Sequence, residues 1–558
     1  MSVIHTITEG GQIWTHRFRM FKQVMKVTFG FSFLVGALVT FICMLSIPFI
    51  LYQGSWYYLK GYLLENYATH IEVDKKYWEH ATRQRYGNDS SLVAIPTKTV
   101  LNVSQHYAVT LKGSILKVLK VASFFANGTA VLSLLFFLVC GQKSKSKQHL
   151  SGRKISSAWI VALKLKLTGR ASSMHVGPIP MVKGSESQHM LITGGTGTGK
   201  SNCLHHILSE MREQKVIIID TTGVFLERYY SAEKDIILSP FHEKSAKWHP
   251  WAECKTTFDF AEVAESFIPH SHSELDNYWR QAARALFSST LQKCQDSKKN
   301  SELIRWLLFE PLSKVCHLLQ GTKAASHMDI NAEKTASCIR SVASTFLECL
   351  ECLDDSEDVF SIRDWVSTGQ PNSWLFLHCT PSQRAAVRPL LSTWISSAIK
   401  GLLTLEPDLK RRIWFIIDEL PSLQKVKNIE TLLTEGRKYG GCAILSLQSP
   451  SQLESIYGRE VTKTIIGNTL TKVIFAEQDP EIAERISKSF GDCEMKEFHE
   501  GISYGAHEAR DGVNLSSHMK TVPIVPSSKI LSLPKNTAFV KLPGNYPIVK
   551  IKLKIAQT

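Results

Sequence analysis

Two stretches of this sequence lack charge altogether. No Asp, Glu, Lys or Arg lies between Val27 and Tyr52, and none between Val121 and Cys140. That excludes an ordinary solvent-facing loop, and each run is long enough to cross a bilayer as a helix. A buried core helix competes for either run alone, but paired runs with basic flanks argue against it. The first run is too long for the apolar part of a signal peptide, and no small-x-small cleavage site follows it cleanly. A third stretch lacks acid. Residues 141–175 hold eight Lys or Arg and no Asp or Glu. This excludes a charge-balanced linker; anionic lipid headgroups are the simplest partner, and DNA is the sharper one. Cysteine is missing between Gln53 and Lys117, although the chain has twelve. Scattered cysteines exclude a disulfide framework. Cys349 and Cys352 have no second C-x-x-C nearby, so they lack the paired pattern of a zinc site and read as one face of a helix. No internal repeat and no low-complexity segment occurs, which excludes a solenoid.

What is present is a chain of 558 residues, too long for one ordinary domain, with a formal charge of +15. That charge suits a polyanionic partner: nucleic acid, anionic lipid, or both. Arg17, Arg19, Lys22 and Lys26 precede the first uncharged run, and Lys143, Lys145, Lys147, Arg153 and Lys154 follow the second. Basic flanks favour the cytosol, which leaves residues 53–117 as an extracytoplasmic loop. Lys112, Lys117 and Lys120 crowd the outer end of the second run and work against this orientation.

A nucleotide motif decides it in favour of a cytosolic main body. Gly194-Gly195-Thr196-Gly197-Thr198-Gly199-Lys200-Ser201 is a complete Walker A loop. Glycines let backbone N–H groups wrap phosphates. Lys200 supplies the cation for the β- and γ-phosphates of ATP, and Ser201 a hydroxyl for Mg²⁺. A strand-like Met190–Thr193 precedes the loop and helical spacing follows it, so a helix N-terminus adds partial positive charge. Ile413–Ile417 is an apolar strand ending in Asp418-Glu419, the Walker B pattern. Asp418 would hold the Mg²⁺ shell and Glu419 would activate the attacking water. Gln448 follows the strand-like run Ala443–Leu447, where its amide could report the γ-phosphate. Arg437 stands one helix beyond Walker B; from the residues alone it is equally an arginine finger or half of a surface salt bridge. Asp220 closes another strand-like run, Val216–Ile219, and is expected near the nucleotide.

Further strand-like runs are Trp374–Leu377 and Lys472–Ala476, with a closing hairpin of Ala538–Leu542 and Ile548–Leu553 about Gly544-Asn545. Residues 276–294 and 332–353 instead show apolar spacing of i, i+3, i+4, i+7. Residues 256–365 therefore read as an inserted all-α domain, or as helices covering the main sheet. The fold class is α/β: a two-span membrane anchor, then a P-loop NTPase domain with a doubly wound, mostly parallel sheet. The expected boundaries are 1–26 cytosolic, 27–52 first span, 53–117 outer loop, 118–140 second span and 141–175 basic linker. The nucleotide-binding domain takes 176–255 and 366–558, interrupted by 256–365.

The chain resembles the type IV coupling proteins of conjugative secretion systems, and most closely their TraD group. The resemblance rests on the two uncharged runs, Gly194–Ser201, Arg411–Leu423, Glu435–Cys442 and Leu447-Gln448-Ser449. Ile362-Arg363-Asp364-Trp365, Tyr504-Gly505-Ala506, Arg510-Asp511-Gly512-Val513 and Leu542–Pro547 add to it. It implies a RecA-like, DNA-stimulated ATPase motor using ATP and Mg²⁺, with an all-α domain facing the cytosol. It also implies a multi-pass inner-membrane protein, forming a homo-hexameric ring. The implied partners are single-stranded DNA gripped without sequence preference, a relaxase and the secretion channel. The positions of Arg437 and Gln448 belong to the family's site. Relatives from F-like plasmids carry a long acidic C-terminal extension that docks the relaxosome. This sequence stops at Thr558, so that docking mode is not carried over. A coupling ATPase for effector proteins and a nucleotide-gated assembly scaffold stay open as alternatives; a chromosome-segregating pump fits the outer loop less well.

Overall fold

The computed structural model describes residues 2–50, 97–145, 148–271, 273–503 and 512–556. The tract Tyr504-Gly505-Ala506, Arg510-Asp511 and most of the expected outer loop lie outside the described residues. Contacts divide the chain into two units, Met1–Lys147 with Phe498–Ser516, and Gln148–Glu497 with Ser517–Thr558.

The first unit contains two long helices, Ser2–Ile50 and Thr97–Lys145. Each includes a segment long and apolar enough to cross a membrane, Met20–Leu45 and Leu111–Cys140. The second helix takes in residues 97–117, assigned above to the loop. Large apolar side chains such as Phe33 and Phe124 point outward, each about three-quarters exposed (77% and 76%). Small residues let the helices approach: a Cβ on Gly36 would lie 3.2 Å from Ala126 Cβ. The Ser133 hydroxyl donates to Thr28 Oγ1 at 3.0 Å across the pair.

In the second unit, a ten-stranded sheet organises everything. Its strands, numbered in chain order, are β1 (Ile155–Ser156), β2 (Met190–Thr193), β3 (Lys215–Asp220), β4 (Ile236–Leu238), β5 (Trp374–His378), β6 (Ile413–Ile417), β7 (Gly441–Leu447), β8 (Thr471–Ile474), β9 (Thr537–Lys541) and β10 (Ile548–Lys552). The spatial order is β1-β10-β9-β8-β2-β7-β6-β3-β5-β4. From β8 to β4 all neighbours run parallel, and β9 and β10 add an antiparallel hairpin at one side. A parallel sheet needs cover on both faces, which is why its central strands are apolar at most positions. The side chains sort with period two. Leu191, Ile217, Ile219, Phe415, Ile417 and Leu445 enter one core, while Ile192, Val216, Ile218, Trp414, Ile416 and Ile444 enter the other.

The helices between β4 and β5 cover the first of these faces. They include Thr257–Phe267, Glu274–Lys293, Glu333–Leu347 and Ile362–Thr368. Phe260, Phe267, Leu286, Ala343 and Val366 share one continuous apolar cluster with the sheet and with the helix Arg384–Leu403. Cys349 is buried in this cluster, on a short 3₁₀ turn, Glu348–Cys352.

The basic stretch 141–175 is a correction. From Gln148 onward it is folded structure, not linker. Gln148–Ser151 pairs with the strand Asp492–Ser503, β1 joins the sheet edge against β10, and Ala158–Leu167 is a helix. Val161 and Leu165 anchor that helix in the second core. High charge density hid a two-residue apolar stripe.

Candidate active site

The strand order places four chain segments at one edge, because parallel strands all end together. β2 runs out at Thr193 into the loop 194–199, and the helix Lys200–Leu208 begins behind it. Gly194 has φ 149° and Gly199 φ 121°. A Cβ on Gly194 would lie 2.6 Å from Phe475 Cβ, and one on Gly199 would lie 2.5 Å from Asn536 Oδ1. Only glycine fits either position, which is how the loop comes so close to the strands beside it. Gly197 stands at the exposed tip. The Thr198 hydroxyl donates to the Gly195 carbonyl at 2.8 Å, and the Gly195 N–H donates to the Ala476 carbonyl at 2.8 Å. The Thr196 hydroxyl donates to Gln448 Oε1 at 3.2 Å, joining the loop to the end of β7.

Lys200 is buried, and its ammonium donates to the carbonyls of Gly194 (2.7 Å) and Gly195 (3.0 Å). Burial depresses its pKa, against the opposing charges of Glu419, Asp418 and Glu477. Ser201 lies exposed in the first helical turn. From β6, Asp418 is buried and its Oδ1 has no hydrogen-bond partner. Burial, then the Glu419 and Asp220 charges, push its carboxyl up to about 6. Burial raises Glu419 too, while Lys200, hydrogen bonding with Gln448 and Arg384 hold it down.

Lys200, Asp418, Glu419 and Gln448 therefore meet at one edge, as the sequence leads one to expect. Arg437 does not. It is exposed on a short 3₁₀ turn, Gly436–Tyr439, just before β7 begins. β7 is seven residues long, so at ~3.3 Å per residue Arg437 sits roughly 20 Å from the Gln448 end. Among the described residues no carboxylate pairs with it. Asp220 is in place, yet it is occupied by the backbone. Its Oδ1 accepts the N–H groups of Thr222 and Gly223, and its Oδ2 those of Phe225 and Leu226. It shapes the turn after β3.

Three residues at this edge carry no motif. Arg384, at the start of the helix after β5, donates to the Thr221 carbonyl at 3.3 Å and adds positive charge beside Asp418 and Glu419. Nothing in the local sequence distinguishes it from a surface arginine. Glu477 is buried just past β8, with Oε2 unpartnered, and its position directly after the expected strand 472–476 was the available signal. Asn536 touches the loop from behind, its N–H donating to the Thr198 carbonyl at 2.8 Å.

The donor set fits a nucleotide with Mg²⁺. A bare buried carboxylate oxygen on Asp418, a glycine loop braced from behind by Phe475 and Asn536 and an ammonium held only by loop carbonyls are what such a ligand needs.

The family model of the type IV secretion-system coupling protein DNA-binding domain matches residues 173–554. The chain belongs to this family. Coupling protein TraD of Escherichia coli (strain K12) is 31% identical over 98% of this chain and 77% of the relative. Plasmid coupling protein TrwB, solved in complex with ADP and Mg²⁺, superposes with a TM-score of 0.65 and 28% identity. That match covers 74% of this chain and 95% of the solved TrwB chain. TrwB with the ATP analogue ADPNP gives a TM-score of 0.65 at 29% identity over the same shares, 74% and 95%. This coupling protein thus has the RecA-type NTPase fold of TrwB, with a mixed, mainly parallel sheet. Its two apolar N-terminal helices, like the relationship to TraD, mark a membrane anchor.

Proposed function

We propose that this coupling protein is an ATP-driven motor for conjugative DNA transfer. It takes up a relaxase–DNA complex and passes single-stranded DNA to a type IV secretion channel. The chain is anchored in the inner membrane by two spans, with residues 148 onward in the cytoplasm, and it works as a homo-hexameric ring. The helices of 256–365 present the cargo-facing surface. The observation that carries the reading is the meeting of the glycine loop, Lys200, Asp418, Glu419 and Gln448 at one strand edge in a chain of this family.

Bound Mg²⁺ would neutralise charge on the β- and γ-phosphates. Ser201 and Asp418 would hold it, and filling the site relieves the bare Asp418 oxygen. Lys200 exchanges its two loop carbonyls for phosphate oxygens. Glu419 takes the proton of the attacking water, and Gln448, bonded to both Glu419 and the loop, orients it. Arg437 completes the site of a neighbouring copy. DNA is gripped through its phosphates by basic surface, without base readout.

The test is Lys200→Ala in the full chain. Nucleotide hydrolysis and DNA transfer are both abolished while membrane insertion is unchanged. Transfer that survives without hydrolysis refutes the motor.

A further inference from the structure

One helix leaves an apolar face uncovered. Ala158–Leu167 buries Val161 and Leu165. Trp159, Ile160, Leu163 and Leu167 are exposed to 67%, 44%, 48% and 78%. At 3.6 residues per turn these four share roughly 100° of arc, turned away from the buried pair. Lys164 and Lys166 fall on opposite borders of that arc. A helix packed on a soluble core presents polar residues to solvent instead. Tryptophan and aliphatic side chains bordered by lysines suit a lipid interface. The lysine stems run along apolar surface while their ammonium groups stay in water.

The flanking sequence carries the matching charge. Lys154 and Arg170 are exposed, Arg153 is half-buried, and no acidic residue occurs between 141 and 175. The helix also follows soon after Cys140 in the chain, where the second candidate span ends. A surface that joins apolar and basic groups so close behind a span is complementary to an anionic membrane.

We propose that Ala158–Leu167 lies in the headgroup layer of an anionic membrane, with Trp159, Ile160, Leu163 and Leu167 inserted and Lys164 and Lys166 at the phosphates. The helix is then a second attachment, which fixes the NTPase unit at the membrane surface. This goes beyond the motor reading and does not depend on hydrolysis.

The test places a benzophenone amino acid at Leu163 or at Leu167 of the full chain in cells. Phe258, exposed to 82% on another helix, serves as the control position. Illumination is followed by mass spectrometry for lipid adducts and by gel for chain–chain products. Lipid adducts are expected at 163 and 167 and not at 258. In the Lys164→Glu, Lys166→Glu double variant the adducts should fall several-fold. Cross-linked chain pairs at 163 and 167 without lipid adducts overturn the proposal and assign the face to a second copy. Equal lipid labelling at all three positions, or none at any, also overturns it, and adducts indifferent to the double variant overturn the role of the lysines.

Discussion

The two edges of one parallel sheet carry opposite chemistry. At the C-terminal edge three carboxylates, Asp418, Glu419 and Glu477, gather about Lys200. Two of them, Asp418 and Glu477, keep a buried oxygen without a partner. At the N-terminal edge polar groups hold the backbone in place. Arg412 pairs with Glu186 at 3.7 Å, Arg411 donates to the Tyr439 carbonyl at 3.3 Å, and His189 Nδ1 accepts the Ala443 N–H at 3.1 Å. Arg437 stands exposed at this edge. One edge is rich in acid and built around an unfilled need; the other offers a cation. Within one chain the length of β7 keeps them apart. On the ring reading they meet between copies, and the protein's activity depends on assembly.

Arg437→Ala should slow hydrolysis by about 10³–10⁵, the range of an arginine finger, and leave ATP affinity nearly unchanged. Steady-state turnover beside nucleotide titration separates the two effects. Normal turnover would make the N-terminal edge a scaffold alone. At the other edge, Glu419→Gln should cost about 10²–10⁴ in turnover with binding retained. A variant that fails to bind nucleotide would instead make Glu419 part of the fold.

A smaller effect sharpens the structural role of the N-terminal edge. Burial lowers the pKa of His189 to about 4. An unfolded chain takes up this proton near pH 6.5, but the folded one holds off until about 4. Stability from this residue is therefore complete above the upper value, falls with pH between the two, and is flat below the lower. The full loss is about 3 kcal/mol. His189→Asn should remove that slope, since asparagine does not titrate in this range and its Oδ1 can still accept the Ala443 N–H. Denaturant midpoints across the window test it, and an unchanged slope in the variant would mean His189 is not the sensor.

The sequence disclosed the C-terminal edge far better than the N-terminal one. β2 and β6 run over the residues expected, Met190–Thr193 and Ile413–Ile417, because buried parallel strands are continuous apolar runs with a motif behind each. Short or polar strands gave no such signal. β4 has three residues, and Asp492–Ser503 is mostly polar. The helices Glu274–Lys293 and Glu333–Leu347 were legible from their spacing. Which surface they cover depends on long-range packing, which local periodicity does not encode. For the same reason Arg384 was invisible. Only the pairing of β5 beside β3 brings its helix to the carboxylates. Arg437 was visible as a residue, but its side of the sheet was not.

Completion of each active site by a neighbouring copy can be tested by mixing two inactive variants. Lys200→Ala chains lack a working loop but still present Arg437. Arg437→Ala chains keep the loop and present nothing. Each alone should be inactive. Assembled mixtures should regain hydrolysis, most strongly at intermediate ratios, wherever a Lys200→Ala chain offers its arginine to an Arg437→Ala neighbour. Mixed assemblies that stay inactive at every ratio would rule out a site shared between neighbours.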